Sequence, residues 1–236
     1  MANLTGTQRS TYVQNMFTRI APRYDLMNRL MTLGQDIVWR KQVVRLARLQ
    51  PGQRMLDLGA GTGDIAFEAF HNLPGIQPLA ADFTLEMMRV GKRRPWGDVL
   101  PWSAADALQL PFADASFDAV VSGFLMRNVT DVPRALAEQW RVLKPGGRLV
   151  ILDTTRPARN LLLPFIRIHL HTVIPALGRL ITGQSEAYTY LPDTTEGFLT
   201  AEQLGARISN AGFRNVRFQR RMFGTIAIHW AQKADS

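Results

Sequence analysis

Leu56-Asp57-Leu58-Gly59-Ala60-Gly61-Thr62-Gly63 is the stretch that decides how this chain folds. It reads as a short apolar strand running into a glycine-dense loop that opens a helix at Asp64-Ile65-Ala66-Phe67. Glycines at 59, 61 and 63 permit a tight turn and a close approach of backbone to ligand, because no Cβ intervenes. The spacing is G-x-G-x-G. Dinucleotide folds use G-x-G-x-x-G, whose third glycine lets helix and strand pack around a pyrophosphate. The next apolar run, Pro78-Leu79-Ala80-Ala81, ends on Asp82. That is about twenty residues on, where such folds place the acid that binds ribose hydroxyls. Asp57 flanks the loop upstream. Loop and acids together suit an adenosyl ligand that carries no pyrophosphate, and S-adenosylmethionine is the candidate; no metal is expected.

Outward from the loop, strands and helices alternate. Strands are expected over 54–58, 77–81, 99–104, 117–122 and 148–152, with helices over 64–71, 84–92 and 133–141. Lys144-Pro145-Gly146-Gly147 turns the chain into the fifth strand. Such alternation implies parallel pairing through right-handed crossovers, hence a doubly wound α/β sheet. Residues 1–50 read as amphipathic helices, with Met16, Phe17, Ile20 and Tyr24 at helical spacing, a break or kink at Pro22, and a second helix ending at Pro51-Gly52. Between Arg156 and Gly197, four prolines punctuate an apolar region too long for a simple crossover, which reads as a helical cap inserted after the fifth strand. A helix over 201–210 follows. Strands over 214–221 and 225–230, joined by Phe223-Gly224, close a seven-stranded sheet with the last strand antiparallel. The chain divides into one domain: an N-terminal helical lid (1–50), a cofactor-binding core (51–155), a substrate cap (156–197) and a closing helix with two strands (198–236).

The bulk properties narrow the class. At 236 residues the chain fits a single domain with a real core. Zero cysteines exclude disulfides, thiolate metal sites and cysteine nucleophiles, and agree with a reducing compartment. No signal peptide opens the chain, and no stretch approaches the roughly twenty apolar residues of a membrane span. A net charge of +9 asks for an acidic partner: nucleic acid, an anionic membrane face or an anionic small molecule.

Ligands of open α/β sheets bind outside the carboxyl ends of the strands. That rule gathers Gly59 to Gly63, Asp82, Asp106-Ala107 and Ser122 to Asn128 around one crevice. Asp82 is expected to hold ribose hydroxyls, being a charged acceptor for two donors. Asp106 and Ala107 are expected to meet adenine, through a side-chain acceptor and a backbone N–H; a turn ahead of Leu108 is the bland alternative for Asp106.

Several segments resemble one family, the ubiquinone/menaquinone biosynthesis C-methyltransferases, within the Rossmann-like class I S-adenosylmethionine-dependent methyltransferases. Met16-Phe17-Thr18-Arg19-Ile20-Ala21-Pro22-Arg23-Tyr24-Asp25-Leu26-Met27-Asn28, continued by Gly34 and Trp39-Arg40, is similar to its first signature. Arg127-Asn128-Val129-Thr130-Asp131 and Arg141-Val142-Leu143-Lys144-Pro145-Gly146-Gly147 resemble its second. Tyr188-Thr189-Tyr190-Leu191 and Gly224 to His229 also fit, so the likeness spans nearly the whole chain. Three positions depart from the pattern. Phe124-Leu125-Met126 stands where the family usually has Phe-Gly-Leu, Gly123 where some members have serine, and Asp153 where a glutamate is usual.

The resemblance implies methyl transfer from S-adenosylmethionine to a ring carbon of a polyprenylated quinol, demethylmenaquinol first, with the ubiquinone precursor benzoquinol as alternative. It supports Thr62, Asp82, Asp106 and Ala107 as cofactor contacts, beside Gly59 and Gly61 from the loop and Ser122 from the crevice. Arg127 and Asn128 are the expected catalytic pair. Guanidinium stays charged at ordinary pH, so Arg127 would stabilise developing phenolate or organise a water, while Asn128 would orient the quinol oxygen or that water. Tyr24, Tyr188 and His229 are expected at the substrate. His169 and His171, in the cap, are alternative bases that a lone-histidine reading leaves as structural. The cap's apolar residues with Arg156, Arg159, Arg167 and Arg179 suit peripheral contact with an anionic membrane face, hence a cytoplasmic protein docking on the inner face of a membrane. A homo-oligomer is compatible with the sequence.

A nucleic-acid methyltransferase is the rival the charge suggests. The chain lacks an Asn/Asp-Pro-Pro-Tyr/Phe motif, a cysteine for attack on a pyrimidine and an RNA-binding module, so nucleic acid is not the expected partner. A nicotinamide oxidoreductase fails on the glycine spacing. A non-enzymatic membrane-binding protein with a relict site is hard to reconcile with the intact glycines and both acids.

Overall fold

Alternating apolar residues on both faces of the strands build the molecule. The computed structural model describes residues 6–157, 163–182, 192 and 194–235. Strands β1 (Arg54–Leu58), β2 (Gln77–Asp82), β3 (Trp102–Ala104), β4 (Phe117–Gly123), β5 (Leu143–Thr154), β6 (Phe213–Arg221) and β7 (Ile226–Lys233) form one sheet, ordered β3-β2-β1-β4-β5-β7-β6. β1 to β5 run parallel, and β7 is antiparallel to both β5 and β6. The order reverses at β1, flanked by β2 on one side and β4 on the other. The crevice at their carboxyl ends is where open α/β sheets bind ligands. Leu56, Val120, Leu149 and Ile151 bury one face, under α6 (Val132–Val142) and α9 (Ala201–Asn210). Met55, Val121, Val150 and Leu152 bury the other, under α3 (Gln35–Ala47) and α4 (Asp64–Asn72). The period of two explains why one strand serves two cores.

The doubly wound, seven-stranded sheet is the expected one; its edges differ in two places. β3 starts only at Trp102, because Val99 and Leu100 donate their N–H groups back to the Trp96 carbonyl in the turn after α5 (Leu85–Lys92). β5 begins at Leu143 rather than Arg148. Lys144 to Gly147 are absorbed as a bulge, with Phe117 opposite Leu143 but Ala119 already opposite Arg148. Gly146 supplies the left-handed φ of 72° that this bulge needs.

The N-terminal helices and the cap share a third cluster, separate from the sheet. Met16 and Ile20 of α1 (Gly6–Ile20), and Met27 and Met31 of α2 (Tyr24–Met31), pack with Ile166, Leu170 and Ile174. Pro22 falls in a single 3-10 turn, Ala21–Arg23, that breaks α1 from α2. The cap runs as α7 (Leu163–Ile168), a π-helical turn (His169–Val173) and α8 (Ile174–Thr182). Among the described residues, no helix is long and apolar enough to cross a membrane.

Candidate active site

The glycine loop follows β1 directly. Gly59, Gly61 and Gly63 adopt φ of 67°, 59° and 87°, which side chains rarely tolerate. A Cβ on Gly59 would stand 2.9 Å from Leu125, and one on Gly63 would stand 2.7 Å from the Trp102 ring. The loop is therefore packed from above and below. Asp82, at the end of β2, accepts from the Gly61 N–H (2.7 Å) and the Thr84 N–H (2.7 Å), tying the loop to its neighbouring strand. Burial raises its pKa against the pull of those N–H groups. The Thr84 side chain and the Phe83 N–H add to these, so Asp82 is held from both the glycine loop and the turn that follows β2. Asp57 accepts from the Ala66 N–H in the first turn of α4 (2.9 Å). Burial, seconded by Asp82 and Asp64, pushes its carboxyl up to about 7. Its second oxygen and the Ser122 hydroxyl are both buried without a hydrogen-bond partner. Buried polar atoms are rarely left so. An adenosyl ligand lined with hydroxyl and amino donors fits this cradle.

Asp106 is exposed, and its Oδ1 accepts from the Leu108 N–H (2.9 Å), so it forms the turn given above as its alternative; Ala107 beside it is buried. Thr62 is buried and donates to Asp25 of α2 (2.7 Å). Arg94 completes that contact, pairing with Asp64 (2.5 Å) and Asp25 (3.6 Å) and donating to the Thr62 carbonyl (3.1 Å). Tyr24 stands beside Asp25 and approaches Gly61, edge-on to Phe17. α2 is thus fastened over the loop.

Further along α2 lies a cavity of about 310 Å³. Asn28, Met31 and Leu33 form one wall, Phe165 and His169 of the cap a second, and Phe124, Arg127 and Thr154 the sheet end. Arg127 is buried there: its guanidinium donates to Asp153 Oδ1 (2.7 Å), and its own N–H reaches Asp153 Oδ2 (3.2 Å). It lies over the Phe124 ring, 5.1 Å from the centroid. Phe124 has a φ of 61°, an uncommon state for a bulky residue and one that tends to mark functional sites. Asn128 holds this bend by donating to the Phe124 carbonyl (3.0 Å). Leu125, next in chain, is the residue that covers Gly59, so the cavity adjoins the glycine loop.

Of the three expected substrate residues, two are described, and neither lines the cavity. Tyr24 stands between the loop and the cavity wall, hydrogen-bonded to Asn28. His229 lies away from it: central in β7 and buried, it sets Nε2 against the Ala201 carbonyl (2.8 Å) and its ring against Phe218, and burial lowers its pKa. Its place in the middle of a covered strand gives it that fate. Tyr188 lies outside the described residues. His169, given above only as an alternative base from its position in the cap, does line the cavity.

The model of the ubiE/COQ5 methyltransferase family matches residues 5–233. The chain belongs to that family. It is 47% identical to the ubiquinone/menaquinone biosynthesis C-methyltransferase UbiE of Desulfotalea psychrophila, over 94% of this chain and 90% of that protein. It is 44% identical to the demethylmenaquinone methyltransferase of Thermus thermophilus, over 91% and 98%. The fold matches a SAM-dependent methyltransferase from Thermotoga maritima (TM-score 0.64, 20% identity, 93% and 98% covered). It equally matches the cyclase SpnF (TM-score 0.68, 19% identity, 98% and 97% covered). A fold shared with a cyclase leaves the chemistry to be argued from the site.

Proposed function

We propose that this family member transfers the methyl group of S-adenosylmethionine to a ring carbon of demethylmenaquinol, giving menaquinol. The observation that carries it is the apolar cavity beside the glycine loop, walled by the segments that hold the family signatures. When bound, S-adenosylmethionine supplies an electrophilic sulfonium methyl. The chain supplies the rest. Gly59, Gly61 and Thr62 admit the donor's chain, Asp82 takes the ribose hydroxyls, and Ala107 with Asp106 borders the adenine. Ser122 and Asp57 offer their unpaired oxygens. Arg127, fixed by Asp153, presents positive charge where phenolate charge develops, and Asn128 keeps the Phe124 bend that positions the ring's floor.

The cavity's mouth supports a lipid-tailed substrate. Leu33, Phe165 and Phe223 line it while being 81%, 70% and 72% exposed, and Leu180 of the cap is 83% exposed. Arg29, Arg167 and Arg179 are exposed beside them. Apolar tips flanked by cations suit shallow docking on an anionic leaflet, from which the polyprenyl tail leads into the cavity. The test is incubation with methyl-labelled S-adenosylmethionine and a panel of reduced demethylmenaquinol, demethylated benzoquinol and RNA. Label should enter demethylmenaquinol fastest; label in RNA and in no quinol refutes the proposal. Flotation with anionic and neutral vesicles tests the docking.

A further inference from the structure

We propose that His169 is the proton acceptor for the quinol hydroxyl, a catalytic residue contributed by the cap rather than by the sheet; this rests on the quinol reading of the cavity. Among the described residues lining it, His169 alone carries an imidazole, the side chain whose ring nitrogen can accept a proton from a hydroxyl. Arg127 stays charged, and the asparagine and threonines do not accept protons. Asp153 lies behind Arg127 and is occupied by it.

Two independent observations single out this imidazole. Its Nε2 is buried and has no hydrogen-bond partner, an uncommon state for a buried polar atom and one that a hydroxyl in the cavity would relieve. His169 also opens the one-turn π-helix His169–Val173 between α7 and α8. Such turns are rare and frequent at functional sites, since they re-aim a side chain off the regular helical face. The nearby His171 shows the contrast: it is exposed and held to Glu196 (3.2 Å).

The chemistry balances as follows. The quinol O–H bond breaks, its proton goes to Nε2, and its electron pair enters the ring. The adjacent ring carbon forms the new C–C bond to the methyl carbon, while the pair of the broken S–C bond stays on sulfur as a thioether. That ring carbon then loses its own hydrogen as a proton to water, and the imidazolium returns its proton to the oxygen. The net products are methylated quinol, thioether and one proton. General-base assistance of this kind is worth about 10²- to 10⁴-fold.

The test combines turnover with a binding readout that needs no methyl donor. In protein with ¹⁵N-labelled histidine, adding 4-methoxy-1-naphthol should shift the Nε2 resonance of His169, assigned by its loss in His169→Gln. Adding 1,4-dimethoxynaphthalene, which has no hydroxyl, should not. His169→Gln and His169→Phe should lower kcat on demethylmenaquinol by about 10²-fold or more, with donor affinity within about threefold of the parent. A kcat within threefold in either folded variant, or equal shifts with both naphthalenes, overturns the proposal. If the parent enzyme methylates no quinol, it is the functional reading that fails instead.

Discussion

Asp57→Asn should change how stability depends on pH more than it changes stability itself. The carboxyl titrates near 3.8 in the unfolded chain and is pushed up to about 7 in the fold, where burial outweighs the Ala66 N–H that accompanies it. Between those values the folded state holds a proton that the unfolded state has lost. Stability contributed by Asp57 is therefore fully present below about pH 4, falls as pH rises and is gone above about 7. Roughly three pH units at about 1.4 kcal/mol each give about 4 kcal/mol as the upper size of the effect. Asparagine keeps an oxygen for the Ala66 N–H and never ionises. The two proteins should be within about 1 kcal/mol of each other near pH 4.5, and the variant should gain steadily to about pH 7.5. Urea unfolding across that range reads the gap directly, and every other titrating group largely cancels in the difference. A gap that stays constant to within about 1 kcal/mol would show that Asp57 is ionised throughout, and that burial does not govern the acid flanking the glycine loop.

Arg127→Ala should do two things at once. It strands Asp153, whose side chain is 1% exposed, at a cost of about 3–5 kcal/mol in urea unfolding, and it lowers methyl transfer. Arg127→Ala/Asp153→Ala should recover most of the stability and none of the turnover; full recovery of activity would assign Arg127 a structural role alone. Asp82→Ala should weaken S-adenosylhomocysteine binding about 10- to 100-fold by calorimetry, from loss of one or two charged hydrogen bonds, with the quinol site unaffected. Unchanged affinity would remove Asp82 from the donor site. Asp25→Ala cuts one hydrogen bond and one partly exposed ion pair to the core. Hydrogen exchange across residues 6–31 should quicken about 5- to 30-fold, with global stability falling little. Uniform exchange across the chain would mean that α2 is not separately fastened.

The alternation of strands and helices was legible because glycine loops and two-sided apolar strands are local signals. Val99 and Leu100 misled because their β-forming side chains serve a turn capped by Trp96, which only the fold reveals. The proposed donor half of the site rests on the same local signals: its residues sit at successive strand ends, in chain order. The acceptor half does not, since its walls come from segments around 28, 127, 169 and 223 that touch only after folding. Histidines show the limit most plainly. His229 carries family resemblance yet faces a backbone carbonyl, whereas His169, in a nondescript apolar run, reaches the cavity. Composition around each residue gave no hint of which imidazole would be left without a partner.

α2 serves two places at once. Asp25 and Tyr24 meet the glycine loop, while Asn28 and Met31, one and two turns on from Tyr24, wall the cavity. In the proposed reading, a single short helix borders donor and acceptor half-sites alike. A substitution in it reaches both. Guarding the sulfonium from water, a need of any enzyme that uses one, would then fall to the same eight residues that shape the room for the acceptor.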